Sequence, residues 1–131
     1  MKKEVILDSN IFIRFFIKDI KDQFEKATDI FNQIEEDKIK GFISILVVNE
    51  VIWILENFYE LKKAIYLPQL IKILSLRNIK VMEVKKKILL SILERMRLTS
   101  YDFTDIYLFA IKEYKEILSF DRDFVKILPI K

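Results

Sequence analysis

Apolar and polar positions along this chain follow two rhythms. Val5-Ile6-Leu7 is an unbroken apolar run with two β-branched residues, and it reads as a short strand buried on both faces. The run stops at Asp8, and Ser9 and Asn10 follow as small polar residues able to open a helix. Phe12, Ile13, Phe15, Phe16 and Ile17 then predict a short helix, apolar over more than half its circumference. Lys18 to Asp22 is a charged turn, after which Phe24, Ala27, Phe31 and Ile34 recur at helical spacing. Gly41 ends that unit.

Phe42-Ile43-Ser44 predicts a second strand, and Ile45 to about Tyr59 predicts a helix that is apolar almost all round. Glu50 sits inside that apolar pattern, where a carboxylate is rarely buried without a partner. Leu61 to Leu76 predicts a helix that starts late or bends at Pro68, because an interior proline removes a hydrogen bond. Ile79 to Met82 predicts a third strand and Lys85 to Met96 a further helix. Another helix opens in Tyr101-Asp102-Phe103-Thr104-Asp105. Ile117 to Phe120 predicts a fourth strand ending at Asp121, and Val125 to Leu128 a weaker fifth. Strands alternating with helices imply right-handed crossovers and a parallel sheet covered on both sides, an α/β fold.

Composition narrows the chemistry more than the fold. The chain has 131 residues, 52% hydrophobic and 33% charged, with one Gly and two Pro. This is the composition of one folded domain over residues 1–131 with little linker. The longest uncharged run, Gly41 to Asn49, is far shorter than the roughly 20 residues that span a bilayer. The first residues do not read as a signal peptide, so a soluble, cytoplasmic protein without membrane contact is expected. There is no Cys and no His. That excludes thiolate chemistry, His-ligated zinc, Ser-His-Asp triads and imidazole bases. Catalysis would run on carboxylates, Lys, hydroxyls or a metal held by oxygen. The net charge of +3 is a mild bias toward polyanions.

The acids are the candidate chemistry. Asp8 and Asp121 both follow apolar strands and so point to the same edge of a parallel sheet, where the ligand crevice of open α/β sheets lies. Asp105 near a helix start and Glu50 early in a helix also fall close to that edge. Four carboxylates there would repel one another without a cation between them, and Mg²⁺ or Mn²⁺ prefers such oxygen ligands. Structural roles compete for each acid. Asp8 could cap the first helix, and Asp102 stands three residues before Asp105 in capping-box spacing. Arg122 and Asp123 could be turn residues. Each acid alone is more often structural than not; the set is harder to explain that way.

The series Asp8-Ser9-Asn10, Ser44, Asn49-Glu50, Asp102-Phe103-Thr104-Asp105 and Leu118-Ser119-Phe120-Asp121-Arg122-Asp123-Phe124 resembles a PIN-domain ribonuclease. Within that family it is most similar to the VapC-type toxins of toxin–antitoxin pairs. The resemblance runs in order along essentially the whole chain. It implies a three-layer α/β/α sandwich around a parallel sheet of four to five strands. It also implies a Mg²⁺- or Mn²⁺-dependent endonuclease acting on single-stranded RNA.

The family's acidic quartet would fall on Asp8, Glu50, Asp105 and Asp121, as catalytic residues and metal ligands. Asp123 is the alternative for the fourth place. Asn10, Asp102, Ser119 and Asp123 would be secondary. Arg14, Lys18, Arg95, Arg97 and Arg122 are candidate phosphate contacts, though for any one of them a solvated face is the better explanation. Trp53, Ile54, Phe58 and Tyr59, with Phe12, Phe15 and Phe16, exceed what one small core needs to hide. That excess predicts a homodimer and an apolar groove for an antitoxin. Two rivals remain: a PIN-like module that binds RNA or protein without cutting, and an Asp-nucleophile phosphatase or receiver domain. The hydrolase version of the latter expects a second Asp where Asn10 stands.

Overall fold

The computed structural model describes residues 2–121. Three parallel strands, β1 (Lys3–Ile6), β2 (Ile39–Ile43) and β3 (Ile79–Val81), form a sheet in that order. Val5 stands opposite Gly41, and Gly41 opposite Ile79. The central position of β2 explains the glycine. A Cβ on Gly41 would lie 2.9 Å from Leu7 Cδ1 and 3.0 Å from Ile34 Cδ1, so a larger residue would have to push both core side chains aside.

Helices α1 (Ser9–Phe16) and α2 (Lys21–Glu35) connect β1 to β2. Their aromatic residues pack together: Phe12 meets Phe31 edge-on at 5.3 Å, and Phe15 meets Phe31 at 5.0 Å. Phe12 is fully buried, and Phe15 and Phe16 pack against the same core. Phe12 is thus absorbed by the protein's own core, while Phe15 and Phe16 remain partly exposed.

Between β2 and β3 the chain forms α3 (Ile45–Trp53), a π-helical turn (Ile54–Phe58) and α4 (Lys63–Leu74). Pro68 lies inside α4 on its exposed side, while Tyr66, Leu67 and Leu70 are buried. The buried Tyr66 hydroxyl donates to Glu56, which ties α4 to the π-helical turn. Helices α5 (Lys86–Leu98) and α6 (Phe103–Ile111) follow β3. Leu89, Ile92, Leu93 and Met96 of α5 enter the core beside Phe103 and Ile106 of α6.

Two expectations are corrected at the sheet. Among the described residues it has three strands, not four to five. Ile117 to Phe120 is irregular, with Leu118, Ser119 and Phe120 exposed, and the Val125 to Leu128 strand lies outside the described residues. The strand at β1 is not buried on both faces, since Ile6 is 70% exposed. The reason is positional: β1 pairs with β2 alone among the described residues, so it is an edge strand. An apolar triplet describes a residue's preference for cover, but whether cover arrives depends on distant chain.

Candidate active site

The carboxyl ends of the three parallel strands lie on one edge of the sheet, and each leads toward a polar residue. Leu7 continues β1 to Asp8, Ser44 directly follows β2, and Glu83 comes two residues after β3. Asp8 occupies the N-cap position of α1 in extended backbone, but its side chain makes no capping hydrogen bond. Its carboxylate is exposed and uncommitted to the helix it precedes. The next residue, Ser9, is buried, and its hydroxyl donates to Oε1 of Glu50 on α3. Asn10 is exposed and lines a cleft of about 360 Å³ between α1 and α2, together with Arg14, Gln23 and Lys26.

Glu50 departs from its expected setting. The buried residues of α3 are Ile45, Val48, Val51 and Ile52, while Leu46, Asn49, Glu50 and Trp53 are exposed. The carboxylate is therefore not sunk in an apolar face. An almost uniformly apolar helix conceals which side meets solvent, and Leu46 and Trp53 are apolar residues on the wet side.

Ser44 and Glu83 fix the start of α3. The Ser44 hydroxyl donates to Glu83 and accepts from Leu46 N at 3.1 Å, while Ile45 N donates to Glu83 Oε1 at 2.9 Å. Two orphan amides of the helix N-terminus are thereby satisfied, which positions the helix carrying Glu50. Sequence reasoning missed Glu83. The signal was present, because an acid just after an apolar strand is the argument that singled out Asp8.

At α6, Asp102 is the N-cap and its Oδ1 accepts from Asp105 N at 2.9 Å. The capping reading of Asp102 is thus realised. Asp105 is partly buried, and its carboxyl is held above the ordinary 3.8. Burial is the largest cause, followed by the charge of Asp102, a hydrogen bond with Asp102 and the charge of Asp121. Asp105 therefore lies within the fields of two other carboxylates. Asp121 N donates to Ser119 Oγ at 3.0 Å, so Ser119 shapes the turn before Asp121. Asp123 and Arg122 lie outside the described residues.

The structure thus joins Glu50 to the residue beside Asp8, and sets Asp102, Asp105 and Asp121 in one electrostatic neighbourhood. It does not draw the four expected acids into one cluster. Among the described residues no three acidic side chains close on a common point that could hold a metal. Asp121 follows irregular chain, so among the described residues no strand end carries it to the sheet edge. In kind the donors suit a hard divalent ion: they are all oxygen, and Asp105 is crowded by like charge.

The candidate phosphate contacts are partly engaged elsewhere. Arg14 pairs with Asp19 at 3.2 Å and Arg97 with Glu94 at 2.9 Å. The Lys18 ammonium lies over the Phe24 ring at 5.2 Å. No helix among the described residues is long and apolar enough to cross a membrane.

No curated protein and no solved structure matches this chain. The family model of the PIN domain matches residues 5–127, a span that contains every acid described above. PIN domains are usually metal-dependent nucleases. On that match, the chain belongs to the PIN-domain family.

Proposed function

We propose that this PIN domain is a divalent-metal-dependent endoribonuclease that hydrolyses phosphodiester bonds of single-stranded RNA, as the toxin of a toxin–antitoxin pair. The observation that carries the reading is the PIN-domain match over residues 5–127, a span that holds Asp8, Glu50, Asp105 and Asp121.

In this reading Asp8, Asp105 and Asp121 hold Mg²⁺ or Mn²⁺, directly or through water, and Glu50 orients or deprotonates the attacking water. A divalent ion, when bound, lowers the pKa of water and offsets charge that builds on the phosphoryl oxygens. The protein's share is positioning. Ser9 holds Glu50 by its hydroxyl, and Ser44 with Glu83 anchors the helix that carries Glu50. Asp102 holds the first turn of α6 and thus Asp105. The protein acts in the cytoplasm as a homodimer, with an antitoxin covering apolar surface. Phe58 and Ile65 are exposed and available for those contacts.

The test is cleavage of single-stranded RNA by purified protein with Mg²⁺, Mn²⁺ or chelator, beside Asp8→Asn. Cutting that needs metal and Asp8 supports the proposal; equal cutting in chelator by both proteins refutes it. A second reading, an RNA- or protein-binding module without activity, is favoured by the lack of three converging acids among the described residues. RNA binding without cleavage at any metal concentration would select it.

A further inference from the structure

The exposed line of α3 carries a feature that phosphodiester hydrolysis leaves unused. Leu46, Glu50, Trp53 and Asn57 follow one another at spacings of four, three and four residues, and all four are exposed. Such spacing sets them in one row along the helix. Trp53 is the sole tryptophan and is 61% exposed, an unusual place for the largest apolar side chain. Three residues before it is Glu50, so the two side chains are surface neighbours about one turn apart.

The backbone changes character directly after Trp53. Tyr59 N bonds Ile54 O at 3.1 Å, the five-residue step of a π-helical turn, and Asn57 Nδ2 donates to Trp53 O at 3.1 Å. The turn is thus fastened to the carbonyl beneath the indole. Such turns are uncommon and recur at functional sites.

We propose that Trp53 is a stacking platform for a base of single-stranded RNA, next to the bond attacked at the Glu50 end of the same row. The inference rests on the ribonuclease reading and names where a substrate base lies. Three considerations choose this occupant. The neighbours of Trp53 in the row are Glu50 and Asn57, a carboxylate and an amide, so the row is not a continuous apolar stripe. The face of a base carries no net charge, so it stacks on an exposed aromatic ring even where a carboxylate lies one turn away. The net charge of +3 draws a polyanion to the protein, leaving short-range contacts to orient it.

Because Trp53 is the only tryptophan, indole emission reports this residue alone. Wild type in chelator and Asp8→Asn in Mg²⁺ are titrated with a short single-stranded RNA, and binding is followed independently by anisotropy of labelled RNA. Emission should change and saturate together with anisotropy. Trp53→Ala should raise KM for cleavage by roughly 5- to 150-fold, the range of one lost base–aromatic stack, with a smaller change in kcat. Trp53→Phe, which keeps a ring, should restore most of the loss.

RNA that binds without altering emission, together with wild-type KM in Trp53→Ala, overturns the platform and leaves the ribonuclease intact. Emission that follows protein concentration instead of RNA assigns Trp53 to an interface between copies, and also overturns it. Wild type that neither binds nor cuts RNA with metal present refutes the ribonuclease reading itself, and the platform with it.

Discussion

The Ser9 hydroxyl, at the carboxyl end of β1, donates to the Glu50 carboxylate on α3. This bond crosses from one helix start to the middle of another and joins two segments 41 residues apart. Ser9 is buried while Glu50 is exposed, so the bond holds a wet carboxylate from its dry side. Ser9→Ala should therefore free Glu50 to reorient. The expected loss in RNA cleavage is about 10- to 100-fold, the usual effect of removing a partner that orients a functional group. The stability loss should be only about 1 kcal/mol, because the freed carboxylate stays hydrated. Cleavage rates and urea unfolding of the same preparation measure both. A large stability loss at unchanged kcat would make the bond purely structural.

Asp102 should behave as a helix cap. Asn accepts the Asp105 amide about as well as Asp, so Asp102→Asn should keep stability near wild type, while Asp102→Ala should lose about 1 kcal/mol. Thermal unfolding compares the three proteins. Equal destabilisation by both changes would show that the charge matters more than the cap.

Asp105 should give the opposite result. Its carboxyl is held above the ordinary 3.8 in the folded protein, so the folded state binds that proton more tightly than the unfolded chain. The resulting cost is absent below 3.8 and is incurred as pH rises through the folded value. In chelator at neutral pH, Asp105→Asn should melt higher than wild type, and the difference should vanish as pH falls below the carboxylate range. Mg²⁺ should then stabilise wild type more than the variant, which should cut no RNA. Ionic strength must be matched, since salt screens the same repulsion. An Asp105→Asn protein that melts lower and retains both its Mg²⁺ response and its cleavage would remove Asp105 from the site.

Gly41→Val tests the centre of the sheet. The Cβ position is already within 3.0 Å of Leu7 and Ile34 side-chain carbons, so a branched residue would displace both. A loss of about 1–3 kcal/mol is expected from such overpacking. It should appear as a lower urea midpoint at unchanged slope, with Leu7 also linking the damage to Asp8. Wild-type stability would mean that the strand shifts to make room.

Much of this was legible in the chain because local rules govern it. The helices α1 to α6 follow largely from apolar spacing, and the capping role of Asp102 from its distance to Asp105. The absence of His and Cys limits any chemistry to oxygen donors and Lys before any fold is known. What tertiary structure alone decided concerns which surface faces which. The α3 helix is apolar nearly all round, so only packing could show that Glu50 and Trp53 lie on its wet side. The Ser9–Glu50 bond and the anchoring of α3 by Glu83 join residues far apart in sequence, beyond the reach of any local pattern. The same limit explains why Ile117 to Phe120 is not a strand among the described residues. The apolar run in Ile117 to Phe120 describes a segment fit for a sheet, but a strand exists only where a partner's backbone receives its hydrogen bonds.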